Sequence, residues 1–175
     1  VDLGTAAAVR TVAYVTSMES PLGRAAGNAV EVAQAVEVLN GGGPADVVEL
    51  TLTLARAMLE AAGIDADPAE ALSSGRALDT WRAMIRGQGG DPDAHLPTAR
   101  HTRVIEAPHA GVLTRLDALS VGIAAWRLGA GRARKEDPVQ ASAGVTWTVG
   151  VGDHVEAGQP LFTLHTSTPD RFERA

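Results

Sequence analysis

The spacing of apolar residues changes midway along the chain, and that change constrains the fold more than any single motif. Up to Gly90 the apolar residues recur at steps of three and four. Beyond His101 they fall in short runs broken by glycine, proline and aspartate. Ala25, Ala29, Val32, Val36 and Leu39 would share one face of a helix that starts at Ser20-Pro21 and stops at Gly41-Gly42-Gly43. Pro44 opens a second helix with the stripe Val48, Leu52, Ala55, Leu59 and Ala62, which Gly63 ends. Asp67-Pro68 begins a shorter helical piece, and Leu78, Trp81 and Ile85 mark another that closes at Gly87 to Gly90. Ahead of them all, residues 10–17 are rich in β-branched side chains and suit a buried strand. Two of the stripe residues, Val32 and Leu52, are expected in the core, where an aspartate would abolish folding.

Residues 91–101, with Pro92 and Pro97, carry no clear period and read as a connector between a first part, 1–90, and a second, 102–168. In the second part residues 102–107 and 111–116 read as strands, and 117–128 as a short helix begun by Asp117 or Ser120. After the Gly129-Ala130-Gly131-Arg132 turn come β segments at 144–149, 153–155 and 160–165, with a polar tail at 169–175. The expected class is α+β: a strand-plus-helices first half on a β-rich carboxy-terminal lobe. Gly152-Asp153-x-Val155-x-x-Gly158-x-Pro160-Leu161 places turn residues around short strands, as in the barrel-sandwich hairpins of lipoyl and biotinyl domains, so the lobe is expected to be barrel-sandwich-like.

Composition narrows the functional classes. The 175 residues include no cysteine, which removes disulfides, thiolate metal sites and cysteine nucleophiles. A net charge of −6 disfavours a nucleic-acid surface, because phosphate neutralisation needs basic excess. No apolar run approaches the roughly 18 residues of a membrane span, so no membrane partner is expected. Lys135 is the one lysine, and it lies in Arg132-Ala133-Arg134-Lys135-Glu136-Asp137 without the methionine or aspartate neighbours of a cofactor-carrying hairpin tip.

Few residues suggest chemistry by spacing. His95, His101, His109, His154 and His165 form no close helical pair with an acidic third ligand. A glycine-rich phosphate loop leaves a strand and opens a helix; Gly129 to Arg132 follows a helix and reads as its left-handed stop. Gly23, Gly27 and Asn28 would permit close backbone approach to a neighbour or a ligand, with helix-to-sheet packing the plainer reading. Glu31, Glu37 and Glu49 read as solvated-face residues, and no serine sits in a nucleophile motif.

Several blocks nevertheless occur in one order. They are Ala13-Tyr14-Val15-Thr16-Ser17-Met18, Pro21-Leu22-Gly23-Arg24-Ala25-Ala26-Gly27-Asn28-Ala29-Val30-Glu31-Val32, Asp46-Val47-Val48-Glu49-Leu50, Ser74-Gly75-Arg76-Ala77-Leu78 and Gln88-Gly89-Gly90-Asp91. Leu128-Gly129-Ala130-Gly131-Arg132, Lys135-Glu136-Asp137, the Gly-Asp hairpin and Leu164-His165 complete the set. Together they resemble the thymidine and pyrimidine-nucleoside phosphorylases over nearly the whole chain. The Pro21-to-Val32 block is the specific one. Thr16-Ser17-Met18 departs from the family's frequent Thr-Asp-Met.

The resemblance implies the carboxy-terminal part of a larger α/β domain in a cytoplasmic homodimer. It implies attack of phosphate, as co-substrate, on C1′ of a thymidine- or uridine-type nucleoside, giving base and (deoxy)ribose 1-phosphate. The family's phosphate- and base-binding residues match no position here, so no catalytic residue is expected among the 175 and the chain alone is expected to be inactive. The chain, which starts at Val1, reads as a piece of something longer. One site does map: a potassium-like ion held by the carbonyls of Leu22 and Ala25 and by a glutamate, which this chain replaces with Gln34. Gln34 keeps a hard oxygen and loses the charge. A stand-alone barrel-sandwich carrier, a non-catalytic paralogue with a binding role and a phosphoribosyl-transfer enzyme of similar fold remain the alternatives.

Overall fold

A computed structural model describes residues 1–175. In chain order the elements are α1 (Asp2–Ala6), β1 (Ala25–Gly27), α2 (Ala29–Leu39), α3 (Ala45–Ala62), α4 (Pro68–Ser73) and α5 (Arg76–Gly87). Then follow β2 (His101–Glu106), β3 (Gly111–Val112), α6 (Ala118–Ala125), a π-type turn (Trp126–Ala130), β4 (Gly144–Trp147), β5 (His154–Val155), β6 (Pro160–Thr166) and a 3-10 turn (Pro169–Arg174). The class is α+β. β1, β4, β6 and β2 form, in that order, an antiparallel four-stranded sheet, and β3 pairs with β5 in a separate two-stranded one. Neither sheet closes into a barrel.

Helix ends follow local chemistry. Asp67 accepts from the Ala69 N–H ahead of Pro68, so α4 begins where the Asp-Pro pair predicts. Asp117 does the same for α6, accepting from Ser120 N–H at 2.7 Å. Gly63 adopts φ +68° and stops α3. The stripe Val48, Leu52, Ala55 and Leu59 is half-buried, yet α3 has no fully buried residue, and neither do α4 and α5.

The core lies in the second half. Leu116, Val121, Ala125, Leu128, Ala143, Val145, Trp147, Leu164 and Phe172 form one buried cluster between α6, the sheet and the final 3-10 turn. Each large side chain there contributes about 1.5–3 kcal/mol relative to exposure. Phe172 reaches that cluster from within residues 169–175, so the stretch expected to be a polar tail also closes the core. Ala107, Val149 and Val155 form a smaller cluster beneath the two-stranded sheet. Thr166 is fully buried at the end of β6 and donates its hydroxyl to the Leu128 carbonyl at 2.8 Å. Beside it Gln140 accepts from Ser167 N–H at 2.8 Å through Oε1 and donates to Thr168 Oγ1 at 3.0 Å through Nε2. These bonds tie the π-type turn, the 138–142 segment and β6 into one polar knot.

Two expectations in the first half are corrected. Residues 10–17 form no strand: no segment of the chain pairs with them, and Val12, Tyr14 and Val15 are exposed. β propensity without a ladder partner leaves every N–H and C=O to water, so the strand does not form. The expected helix at Ser20-Pro21 is instead a turn followed by β1, and the helix begins only at Ala29. The reason is pairing. Ala25, Ala26 and Gly27 face Thr146, Val145 and Gly144 of β4, and a Cβ on Gly144 would stand 2.6 Å from the Ala26 carbonyl oxygen. A Cβ on Gly27 would stand 2.5 Å from the Ala143 carbonyl oxygen, at a φ of +155° that only glycine tolerates. The displaced helix turns Val32 outward, 39% exposed, so Val32 is not the core residue its spacing predicts; Ala29 and Val38 are buried instead.

Candidate functional site

The Pro21–Arg24 turn, the most specific block of the sequence, is pinned from two helices. Asp46, in the first turn of α3, accepts from Gly23 N–H at 2.9 Å, and Gln34 of α2 accepts from Arg24 N–H at 2.6 Å. The Arg24 side chain donates to the Thr148 carbonyl beyond β4. Glu31 reaches back from α2 to Gly27 N–H at 2.6 Å, and Asn28 donates to the Ala130 carbonyl at 2.8 Å. The backbone amides of Gly23, Arg24 and Gly27 therefore each have a side-chain acceptor.

A cleft of about 530 Å³ opens beside this turn, lined by Ala25, Val30, Gln34 and Glu37 and by Thr146 and Thr148. Of the residues expected to hold a cation, Ala25 and Gln34 share this cleft, whereas Leu22 lies next to it on the half-exposed face of the turn. The Oε1 of Gln34 is already bonded to Arg24, which leaves its second lone pair for an ion. Glu37 is the cleft's one carboxylate.

The histidines are scattered. His95, His101, His109 and His154 are exposed, and no three His, Asp or Glu side chains converge in metal-ligand geometry. His165, half-buried in β6, shares a 2.9 Å hydrogen bond between its Nε2 and Thr146 Oγ1. Burial lowers its pKa below the ordinary 6.5, because desolvation disfavours the charged ring. Gly129 takes φ +116° and closes the π-type turn, as its sequence context predicts. Lys135 is exposed in the segment after that turn, away from the β5–β6 hairpin where a carrier lysine would stand.

Three features carry no signal in the sequence. Glu31 is exposed, as expected, and in addition accepts from Gly27 N–H, a contact its place on the helix face does not signal. Asp46 has no sequence signal pointing to Gly23, since the contact joins residues on different elements. The same holds for Arg127, Arg132, Arg171 and Arg174, which line one cavity of about 420 Å³ from two separate parts of the chain.

Comparison with known proteins places these elements in context. Residues 112–175 match the pyrimidine nucleoside phosphorylase C-terminal domain. The whole chain is 52% identical to a thymidine phosphorylase of Mycobacterium tuberculosis, covering 41% of that protein. Over 97% of its length it is 36% identical to a pyrimidine-nucleoside phosphorylase of Staphylococcus aureus, covering 42% of that one. The chain thus spans about two-fifths of the length of these relatives. From the turn at Pro21 to the buried Phe172, this polypeptide is a relative of the thymidine and pyrimidine-nucleoside phosphorylases, and its residues 112–175 match their carboxy-terminal domain.

Proposed function

We propose that this chain is the scaffold portion of a pyrimidine nucleoside phosphorylase, and that it serves phosphate-dependent cleavage of thymidine- or uridine-type nucleosides to base and (deoxy)ribose 1-phosphate. The observation that carries the reading is the 52% identity to a thymidine phosphorylase along the entire chain. The reaction needs groups that hold phosphate beneath C1′ and steady the leaving base, in a site closed to water. In this reading those groups belong to a part of the protein outside the 175 residues, and the chain alone is inactive. Its own contribution is rigidity: the pinned Pro21–Arg24 turn and the sheet behind it fix the body against which a second lobe closes.

The working protein in this reading is a cytoplasmic homodimer. Residues 1–90 would extend a larger α/β domain, and residues 102–168 would form its β-rich lobe. A potassium-sized cation at Leu22, Ala25 and Gln34 belongs to the same proposal. Its role there is structural, holding the turn, and the neutral amide of Gln34 grips it less tightly than a carboxylate would.

Base release from thymidine and uridine, with and without phosphate, tests the reading on protein made from the complete reading frame and on the 175-residue chain. Phosphate-dependent release by the complete protein and none by the short chain is the expected pair. Absence of release by the complete protein overturns it, and so does an intact mass showing a lipoyl or biotinyl adduct on Lys135, which marks a carrier.

A further inference from the structure

Fourteen of the chain's basic residues are arginines, and eight of them stand within 4.0 Å of a carboxylate. The six without one are Arg24, Arg100, Arg127, Arg132, Arg171 and Arg174. Four of these six line a single cavity of about 420 Å³, in a protein whose net charge is −6.

The cluster is assembled by the fold. Arg127, in the π-type turn, donates to the Arg174 carbonyl at 2.9 Å, and Arg171, in the 3-10 turn, donates back to the Arg127 carbonyl at 3.1 Å. This reciprocal pair brings both turns together and leaves most donors of each guanidinium unused. Arg132 spends one donor on the Lys135 carbonyl three residues on, and the Arg174 side chain has no partner within the protein. The one acid in the lining, Asp137, is already engaged by Arg134 through both carboxylate oxygens. Trp126, a residue 44% exposed, completes the wall. Planar guanidinium forks match phosphate oxygens, and an exposed indole offers a face for a planar ring.

We propose that this cavity binds a phosphorylated nucleoside, its phosphate held by Arg127, Arg132, Arg171 and Arg174 and its base lying against Trp126. Like charges gathered this closely repel one another, and a phosphate relieves that repulsion as it binds. The inference is independent of whether the complete protein performs phosphorolysis.

Calorimetric titration of the purified chain at low ionic strength, with uridine 5′-monophosphate, inorganic pyrophosphate and uridine as probes, tests it. Uridine 5′-monophosphate and pyrophosphate are expected to bind at one site, and uridine is not. Arg132→Gln combined with Arg174→Gln removes two arginines that brace no distant element, so thermal stability should hold while affinity for both anions falls at least about tenfold. Trp126→Phe should weaken uridine 5′-monophosphate and leave pyrophosphate unchanged. The proposal fails if uridine binds as well as its monophosphate, if the double variant keeps its affinity, or if Arg24→Gln with Arg100→Gln weakens binding equally. It fails too if neither anion binds and the chain instead self-associates in a salt-sensitive way.

Discussion

The hydroxyl of Thr166 donates to the carbonyl of Leu128 at 2.8 Å, and both residues are fully buried. The bond lets the π-type turn end inside the core without an orphaned carbonyl. Thr166→Val should therefore destabilise the chain by about 1–3 kcal/mol in urea unfolding, the cost of a buried acceptor left unpaired. Thr166→Ser keeps the hydroxyl and should lose only about 1 kcal/mol with the missing methyl. Valine tolerated better than serine would show that volume, not the hydrogen bond, decides this position.

Aspartate substitutions locate the true core. Val145 is 2% exposed at the centre of the main cluster, and Val145→Asp should prevent folding by burying an unpaired charge at a cost of several kcal/mol. Val32→Asp, on an exposed turn of α2, should leave a cooperative transition near the wild-type temperature. Thermal unfolding followed by circular dichroism separates the two outcomes.

Acid unfolding should show two steps. Hydrogen bonds from Ser120 and then from Arg115 hold the Asp117 carboxyl down to about 2 from its ordinary 3.8. Its ionised form is favoured by the fold, so the stability it supplies is present above pH 3.8 and is lost as pH falls towards 2. His165 is favoured in its neutral form by burial, so its contribution is complete above pH 6.5 and declines as pH falls below that value. Asp117→Asn should flatten the lower step and His165→Gln the upper one in a plot of Tm against pH. An upper step that persists in His165→Gln would assign it to another group.

The cation proposed at the Pro21–Arg24 turn gives a comparison of variants. Gln34→Glu supplies the missing charge beside the Leu22 and Ala25 carbonyls, so exchanging choline for potassium should raise its Tm by about 2–4 °C, roughly 1 kcal/mol for a chain of this length. Wild-type protein should respond less. Equal Tm values in the two salts for both proteins would remove the ion from the proposal.

Much of the second half was legible because its turns carry their own chemistry. Gly-Asp and Gly-x-Pro punctuation brackets β4, β5 and β6 to within about two residues, and the Asp117 cap marks the start of α6. The first half misled where tertiary pairing overrides local preference. Ala25-Ala26-Gly27 has no strand propensity and becomes a strand because Gly144 lets β4 approach, whereas residues 10–17 have the propensity and no partner. The arginine cavity has no sequence signature, because its charges meet only when the 3-10 turn folds back onto the π-type turn.

The glycine seam between β1 and β4 lays backbone against backbone where the amino-terminal third of the polypeptide meets its distal end. A protease that nicks the exposed proline-bearing stretch between α5 and β2 would accordingly yield two peptides that co-purify. Gly27→Ala or Gly144→Ala, which wedges the interlocked backbones apart, should make the two peptides separate more readily.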